Sequence, residues 1–464
     1  MNLAIIGGGP GGYVAAIRAS QLGADVTLIE KDAIGGTCLN VGCIPTKSLI
    51  HSADLYHAII HEAASNGISV GEVSADFDAM QKRKAKIVKK LVSGVSGLMS
   101  ANRITVVKGS AKFQSASLIK ATTAEGSLEI PFDKAIIASG SVPSSLPIPG
   151  ADLEGVVEST GALSLEAVPA SMCVIGGGVI GVEMAHIYCR LGTKITIVEM
   201  LPDILMTQDA EVVAPLKKVL KADKTDILLE TKVNRIEKAE NGLTVHVTAP
   251  DGSESSVTAE KVLMCVGRRP ATENLGLDEI GIATERRRIL VDAHYRTSVE
   301  SIYAIGDCIG GIMLAHVASA EGVCAAEHCM GLEPSLQMDI VPSCIYTSPE
   351  LSGVGLTEKE ALTRGLDIAV GVFPLMGNGK SLILGDTTGL VKYIADKNTH
   401  KILGLHMCGP NATELIVEGA LAISKKATVE DILSVIHAHP TVGESLQEAA
   451  HSVFGNCFHM PPRR

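Results

Sequence analysis

The chain has 464 residues, 40 basic against 51 acidic, for a formal charge of −11. Apolar residues make up 46%, enough for packed cores, and the length suits about three domains. An acidic chain with 3% aromatics and no Trp lacks the basic footprint and stacking platforms of a nucleic-acid binder, and no apolar run reaches the ~18 residues of a membrane helix.

The apolar run LAII begins at residue 3, with no charged or Arg/Ser-rich leader before it, so the chain as given reads as cytoplasmic. Its 11 Cys are odd in number and widely spread, which is not a secreted disulfide framework. Any disulfide here is expected to be redox-active.

The first segment reads as strand, glycine turn, helix and strand. LAIIG leads into GGGPGG, with Gly7, Gly9 and Gly12; a helix spans residues 13–22; DVTLIE closes at Glu30, 18 residues past Gly12. This is a βαβ unit with the dinucleotide fingerprint. The unit recurs. MCVIGGGVIG places Gly176, Gly178 and Gly181, a helix covers residues 182–191, and KITIVE closes at Glu199, again 18 residues on. Each half also carries a later strand ending in a glycine turn, AIIASGSVP with Ser139 and Gly140, and VLMCVGRRP with Gly267. One fingerprint is a weak signal. Two, each with its acidic residue at the same distance, are an internal repeat.

Between and beyond the repeats, residues 44–66 and 77–102 read as helices, residues 104–137 as short strands, and PSSLPIPG (143–150) as a Pro-rich boundary. From residue 341 the pattern becomes α+β, with helices expected over 413–425, 429–436 and 444–453.

GGTCLNVGCIPTK sets Cys38 and Cys43 at the start of a predicted helix, beside the first nucleotide unit. A helix N-terminus favours a thiolate. Gly35, Gly36 and Gly42 permit a backbone that brings the sulfurs together. The alternative is two ordinary buried thiols. Cys324 and Cys329 have the same spacing but lie mid-helix without Gly or Pro between them, and read as core thiols. Zinc is not expected, because no second cysteine pair with ligand spacing follows.

GGGPGG with Glu30, GGTCLNVGCIPTK, GGGVIG with Glu199, YAIGDC and HAHPTVGES occur in that order over essentially the whole chain. Together they resemble the flavoprotein disulfide reductase family, and within it the branch acting on dihydrolipoyl groups. The resemblance implies an α/β fold of two Rossmann-like dinucleotide-binding domains and a C-terminal α+β dimerisation domain. Its expected boundaries are 1–147 (FAD), 148–270 (NAD), 271–340 (completing the FAD site) and 341–464 (interface). It implies a Cys38–Cys43 redox disulfide, with His439 as general base and Glu444 orienting it, each serving the other subunit of a homodimer. FAD would be held by Gly7, Gly9, Gly12, Glu30, Lys47, Ser139, Gly140, Asp307, Ala315 and His316. NAD would be held by Gly176, Gly178, Gly181, Glu183, Glu199 and Gly267, with Lys47 and Glu183 paired beside the flavin. Glu199 favours NAD, since a carboxylate repels a 2′-phosphate. Partners are a second copy and a lipoylated protein in trans. Thr46, Ser139 and GNGKS (377–381) depart from the usual pattern. The tail carries only Cys457, which removes the C-terminal thiol pair that mercuric and large thioredoxin reductases need. A glutathione-reductase-like enzyme and a flavoprotein scaffold are the remaining rivals.

Overall fold

The computed structural model describes residues 1–461. Two five-stranded parallel sheets form its first two bodies. The first runs in the order Ile302–Ala304, Lys134–Ile137, Asn2–Ile6, Asp25–Glu30, Thr105–Lys108. The second runs Val156–Val157, Lys261–Met264, Ser171–Ile175, Lys194–Val198, Asp226–Leu228. Residues 3–6 are all buried, as are residues 172–175, because helices cover one face of each sheet and a small antiparallel sheet covers the other. Each sheet carries an antiparallel three-stranded excursion, inserted before Lys134–Ile137 in the first and before Lys261–Met264 in the second. The first is Ser110–Ser115, Leu118–Thr123, Gly126–Pro131; the second is Lys232–Ala239, Gly242–Thr248, Glu254–Ala259. The second was not singled out from sequence, although GLTVHVT alternates in burial as a half-buried strand should.

The outermost strand of the first sheet, Ile302–Ala304, pairs with Ala135–Ile137 from far upstream. Leu275, Leu277, Ile282 and Ile289 also enter one core with Phe113 and Ile119. The segment after the second sheet therefore packs with the first body. The two bodies meet where Ser141–Pro143 pairs antiparallel with Arg268–Pro270, so the Pro-rich boundary begins inside a strand.

The C-terminal body is an antiparallel sheet, Ser343–Ile345, Glu350–Gly355, Ile402–Gly409, Leu390–Asp396, Ile368–Pro374, with helices Ala412–Ser424 and Glu444–Val453 against it. Close approach needs glycine here: a Cβ at Gly371 would press within 2.6 Å of the Val453 amide. Lys392 is buried among carboxylates, 3.0 Å from Asp209 and 3.1 Å from Glu211 of the second body and 2.5 Å from Glu358 of its own. Among the described residues no helix is long and apolar enough to cross a membrane.

Candidate active site

The two nucleotide units superpose residue for residue in their bonding. Gly7 has φ +103 and Gly176 φ +110, the left-handed region that favours glycine. A Cβ at Gly7 would overlap the Ala138 carbonyl, and one at Gly176 the Cys265 carbonyl. Gly12 and Gly181 likewise leave no room beside the Gly7 and Gly176 carbonyls, which presses each helix onto its strand. Helix Pro10–Gln21 starts at Gly9 and helix Val179–Arg190 at Gly178, and neither has a side-chain cap. The first-turn amides are therefore free for an anion. Glu30 accepts the Gly8 N–H at 2.6 Å and the Asp32 N–H at 2.7 Å. Glu199 accepts the Gly177 N–H at 2.5 Å and the Leu201 N–H at 2.7 Å. Each carboxylate is locked at its strand end while retaining lone pairs for a ribose hydroxyl. Gly140 and Gly267, both with positive φ, have open space at the Cβ position.

The thiols sit against the first unit. The expected single helix is two. Helix Gly36–Val41 carries Cys38, the chain breaks at Gly42, and helix Cys43–His61 begins at Cys43. Gly42 is needed for the fold-back, since its Cβ would lie 2.8 Å from the Thr37 carbonyl. A Cβ at Gly36 would sit 2.6 Å from Gly9 Cα, so the thiol segment is pinned to the fingerprint itself. Cys38 and Cys43 are free, partly buried thiols, and hydrogen bonding between the two side chains dominates their ionisation. That bond, aided by Lys47 and opposed by burial, lowers Cys43 to about 7. Sharing with Cys43, together with burial, pushes Cys38 well up. The pair's proton is therefore lost more readily at Cys43 than at Cys38. Cys324 and Cys329, by contrast, are buried thiols in helix Ala315–Cys329, and burial lifts Cys329 to about 12.

Lys47, one turn past Cys43, lies 2.7 and 2.9 Å from the two oxygens of Glu183, whose side chain is almost wholly buried. Glu183 also accepts the Tyr346 amide at 3.1 Å, and the Lys47 ammonium stands 4.6 Å from the Tyr346 ring centre. Three bodies meet at this one ion pair.

Asp307 follows strand Ile302–Ala304 in the short turn Gly306–Ile309. Its carboxylate accepts the Ser141 hydroxyl, which itself accepts Arg268 Nε at 2.7 Å. Ser139 Oγ is buried with no partner, a polar group that needs a ligand. Ala315 opens helix Ala315–Cys329, whose start has no side-chain cap. His316 is exposed and bonds the Pro342 carbonyl at 2.9 Å. Gly7, Gly9, Ser139 and Ala315 supply a cradle, an orphan hydroxyl and free amides, a set that fits FAD. Gly176, Gly178 and Glu199 fit a nicotinamide dinucleotide.

His439 precedes a cis peptide to Pro440. Its Nδ1 lies 2.8 Å from Glu444 Oε1, while Glu444 Oε2 accepts the Thr441 N–H at 2.8 Å. Burial pushes the Glu444 carboxyl up, but the Thr441 amide and His439 outweigh it and the net shift is down. A carboxylate only accepts, so Nδ1 carries the proton and Nε2 presents a free lone pair. The ring is 78% exposed in the single chain. Sequence reasoning missed Asn378, within the departing GNGKS segment. It caps helix Gly379–Leu384 and donates to the Thr441 carbonyl at 3.0 Å, steadying the His439 turn. It also missed Tyr346, Ser141 and Arg268. Ser141 and Arg268, one in each copy of the repeated glycine turn, carried a local signal, and Tyr346 carried none.

Residues 1–322 match the family model described as pyridine nucleotide-disulphide oxidoreductase, and residues 341–450 match its dimerisation domain. The chain is 44% identical to dihydrolipoyl dehydrogenase 1, mitochondrial, of Arabidopsis thaliana, covering 99% of this chain and 91% of that protein. It is 42% identical to dihydrolipoyl dehydrogenase of Geobacillus stearothermophilus, covering 98% and 97%. Among solved structures, the HOCl-induced flavoprotein disulfide reductase RclA from Escherichia coli superposes with a TM-score of 0.86 at 30% identity, covering 96% and 98%.

Proposed function

Because the chain belongs to the pyridine nucleotide-disulphide oxidoreductase family, whose members bind FAD and a nicotinamide dinucleotide, we propose that it is a dihydrolipoyl dehydrogenase. It reoxidises protein-bound dihydrolipoyl groups through a Cys38–Cys43 disulfide and reduces NAD+. The observation that carries this reading is the thiol pair: Cys38 and Cys43 on adjoining helices either side of Gly42, with Lys47 one turn past Cys43 and drawing it down.

The residues divide the work. His439 Nε2 takes the proton of a substrate thiol, and Glu444 stabilises the imidazolium that forms. The substrate sulfur attacks Cys38, breaking the Cys38–Cys43 bond and releasing Cys43 as thiolate. The second substrate thiol then displaces Cys38, which leaves carrying a proton, and the substrate departs as a disulfide. Lys47, neutralised by Glu183 on one side and drawing Cys43 down on the other, holds the charge balance beside the thiolate. FAD, which Gly7, Gly9, Ser139 and Ala315 would hold, would supply the two-electron relay between the dithiol and NAD+. Glu199, with no Arg following it, selects the free 2′-hydroxyl of NAD.

The C-terminal dimerisation domain pairs two chains, and His439, exposed in one chain, serves the thiols of the other. Exposed Met376, Leu382, Ile383, Val417 and Ile436 on this body are the apolar surface such pairing covers. The residue ranges 1–147, 148–270, 271–340 and 341–464 remain our division of labour among FAD, NAD, FAD-completing and interface segments. The enzyme works in the cytoplasm on a lipoylated carrier supplied in trans. Nicotinamide absorbance tests the assignment: turnover is expected with dihydrolipoamide and NAD+. Turnover only with glutathione disulfide and NADPH would transfer the chain to the glutathione-reductase-like branch, and none with either pair would favour a scaffold.

A further inference from the structure

Glu321 is a carboxyl that the reaction does not use, and only 9% of it is exposed. It lies on helix Ala315–Cys329, between Ala318 and Gly322, where that helix presses on the first fingerprint. A Cβ at Gly11 would stand 2.9 Å from the Ala318 carbonyl, and one at Gly322 2.5 Å from the Gly11 carbonyl. Against this tight seam, Glu321 Oε2 accepts the Gly306 N–H at 2.6 Å. Gly306 begins the turn Gly306–Ile309 at φ +70, and the next residue is Asp307. The Asp307 side chain is fixed separately by Ser141. Burial pushes the Glu321 carboxyl up to about 7, against the pull of the Gly306 amide and with a push from Asp307. An apolar side chain would be cheaper at this depth, so the acceptor has a use.

We infer that Glu321 is a positioning residue for FAD. It ties the turn carrying Asp307 to the helix whose first amides, at Ala315 and His316, face the same cofactor. The start of that helix is about 9 Å along the axis from Glu321. The Asp307 turn and the helix start are thereby held at a fixed separation. This inference rests on the reading of Asp307 as an FAD contact.

The test is the rate at which the purified holoenzyme releases FAD, followed by the fluorescence of the freed flavin, with circular dichroism as a check on folding. Glu321→Leu fills the space without an acceptor and should release FAD about tenfold faster, the loss of one buried hydrogen bond. Glu321→Gln keeps a carbonyl acceptor and should stay within about twofold of the parent. Adding Glu321→Leu to Asp307→Asn should accelerate release no further, because both act on one turn. Glu321→Ala makes the same comparison if the Leu variant does not fold. Native retention in Glu321→Leu, equal losses in Gln and Leu, or additivity with Asp307→Asn would each overturn the inference in favour of a purely packing role. Native retention in Asp307→Asn would instead remove the Asp307 reading, and with it the route through which Glu321 acts.

Discussion

Replacing Glu444 by Gln probes the acid/base site with almost no change in shape. In the parent, Glu444 Oε1 faces His439 Nδ1 at 2.8 Å and Oε2 accepts the Thr441 N–H at 2.8 Å. An amide has one acceptor and one donor end, so it cannot serve both neighbours. If its oxygen stays on Thr441, its NH2 meets Nδ1, which must then give up its proton. The ring proton moves to Nε2, and the lone pair that should receive the substrate proton is gone. If the amide flips, NH2 faces the Thr441 N–H and one donor is left unpaired, at about 1–3 kcal/mol. Either orientation also removes the negative charge that stabilises the imidazolium. General acid–base catalysis is worth about 10²–10⁴-fold, so thiol-dependent turnover should fall by about that factor. The matched assay is NADH oxidation by an artificial electron acceptor, which bypasses the thiols and His439. It should be unchanged. Full dihydrolipoamide turnover in Glu444→Gln, or equal loss in both assays, would refute the reasoning.

Two further predictions concern the thiols and the frame. Reduction of the holoenzyme by one equivalent should produce a long-wavelength absorbance band from the Cys43 thiolate. The band should fade as pH falls through about 7, where Cys43 protonates, and its midpoint should rise in Lys47→Met, which withdraws a charge that lowers Cys43. Cys43→Ser should abolish the band and Cys38→Ser keep it; the opposite pattern would exchange the two roles. Lys392→Met strands the buried Asp209 carboxylate without its ammonium. It should cost about 3–5 kcal/mol and lower the melting temperature by several degrees in calorimetry.

The features legible in the sequence were those written in local spacing. Gly7 and Gly176 announced their turns because only glycine fits beside the Ala138 and Cys265 carbonyls, and Gly12 and Gly181 because only glycine fits beside Gly7 and Gly176. The helix starts were read three residues late, at 13 and 182 rather than Pro10 and Val179, because Gly9 and Gly178 offer no side-chain cap to recognise. Cys38 and Cys43 were found together, but the break at Gly42 that gives each its own helix was not. What sequence spacing could not reveal were contacts between distant segments. Tyr346 lends its amide to Glu183 from 163 residues away, and Asn378 reaches Thr441 across 63. No periodicity records such pairings, one between two bodies and the other within the C-terminal body. Strand Ile302–Ala304 illustrates the same point, since its partner in the first sheet comes from residues 135–137.

The junction at Glu183 has a mechanical corollary. The nicotinamide-binding body contributes this carboxylate to a lysine rooted beside the thiols, and the third body anchors it through the Tyr346 amide. Swinging the first body from the second would part Lys47 from an almost wholly buried Glu183, and swinging the third away would remove that carboxylate's backbone donor. A hinge that opened widely to admit the dinucleotide would therefore disarm the sulfur chemistry each time it moved.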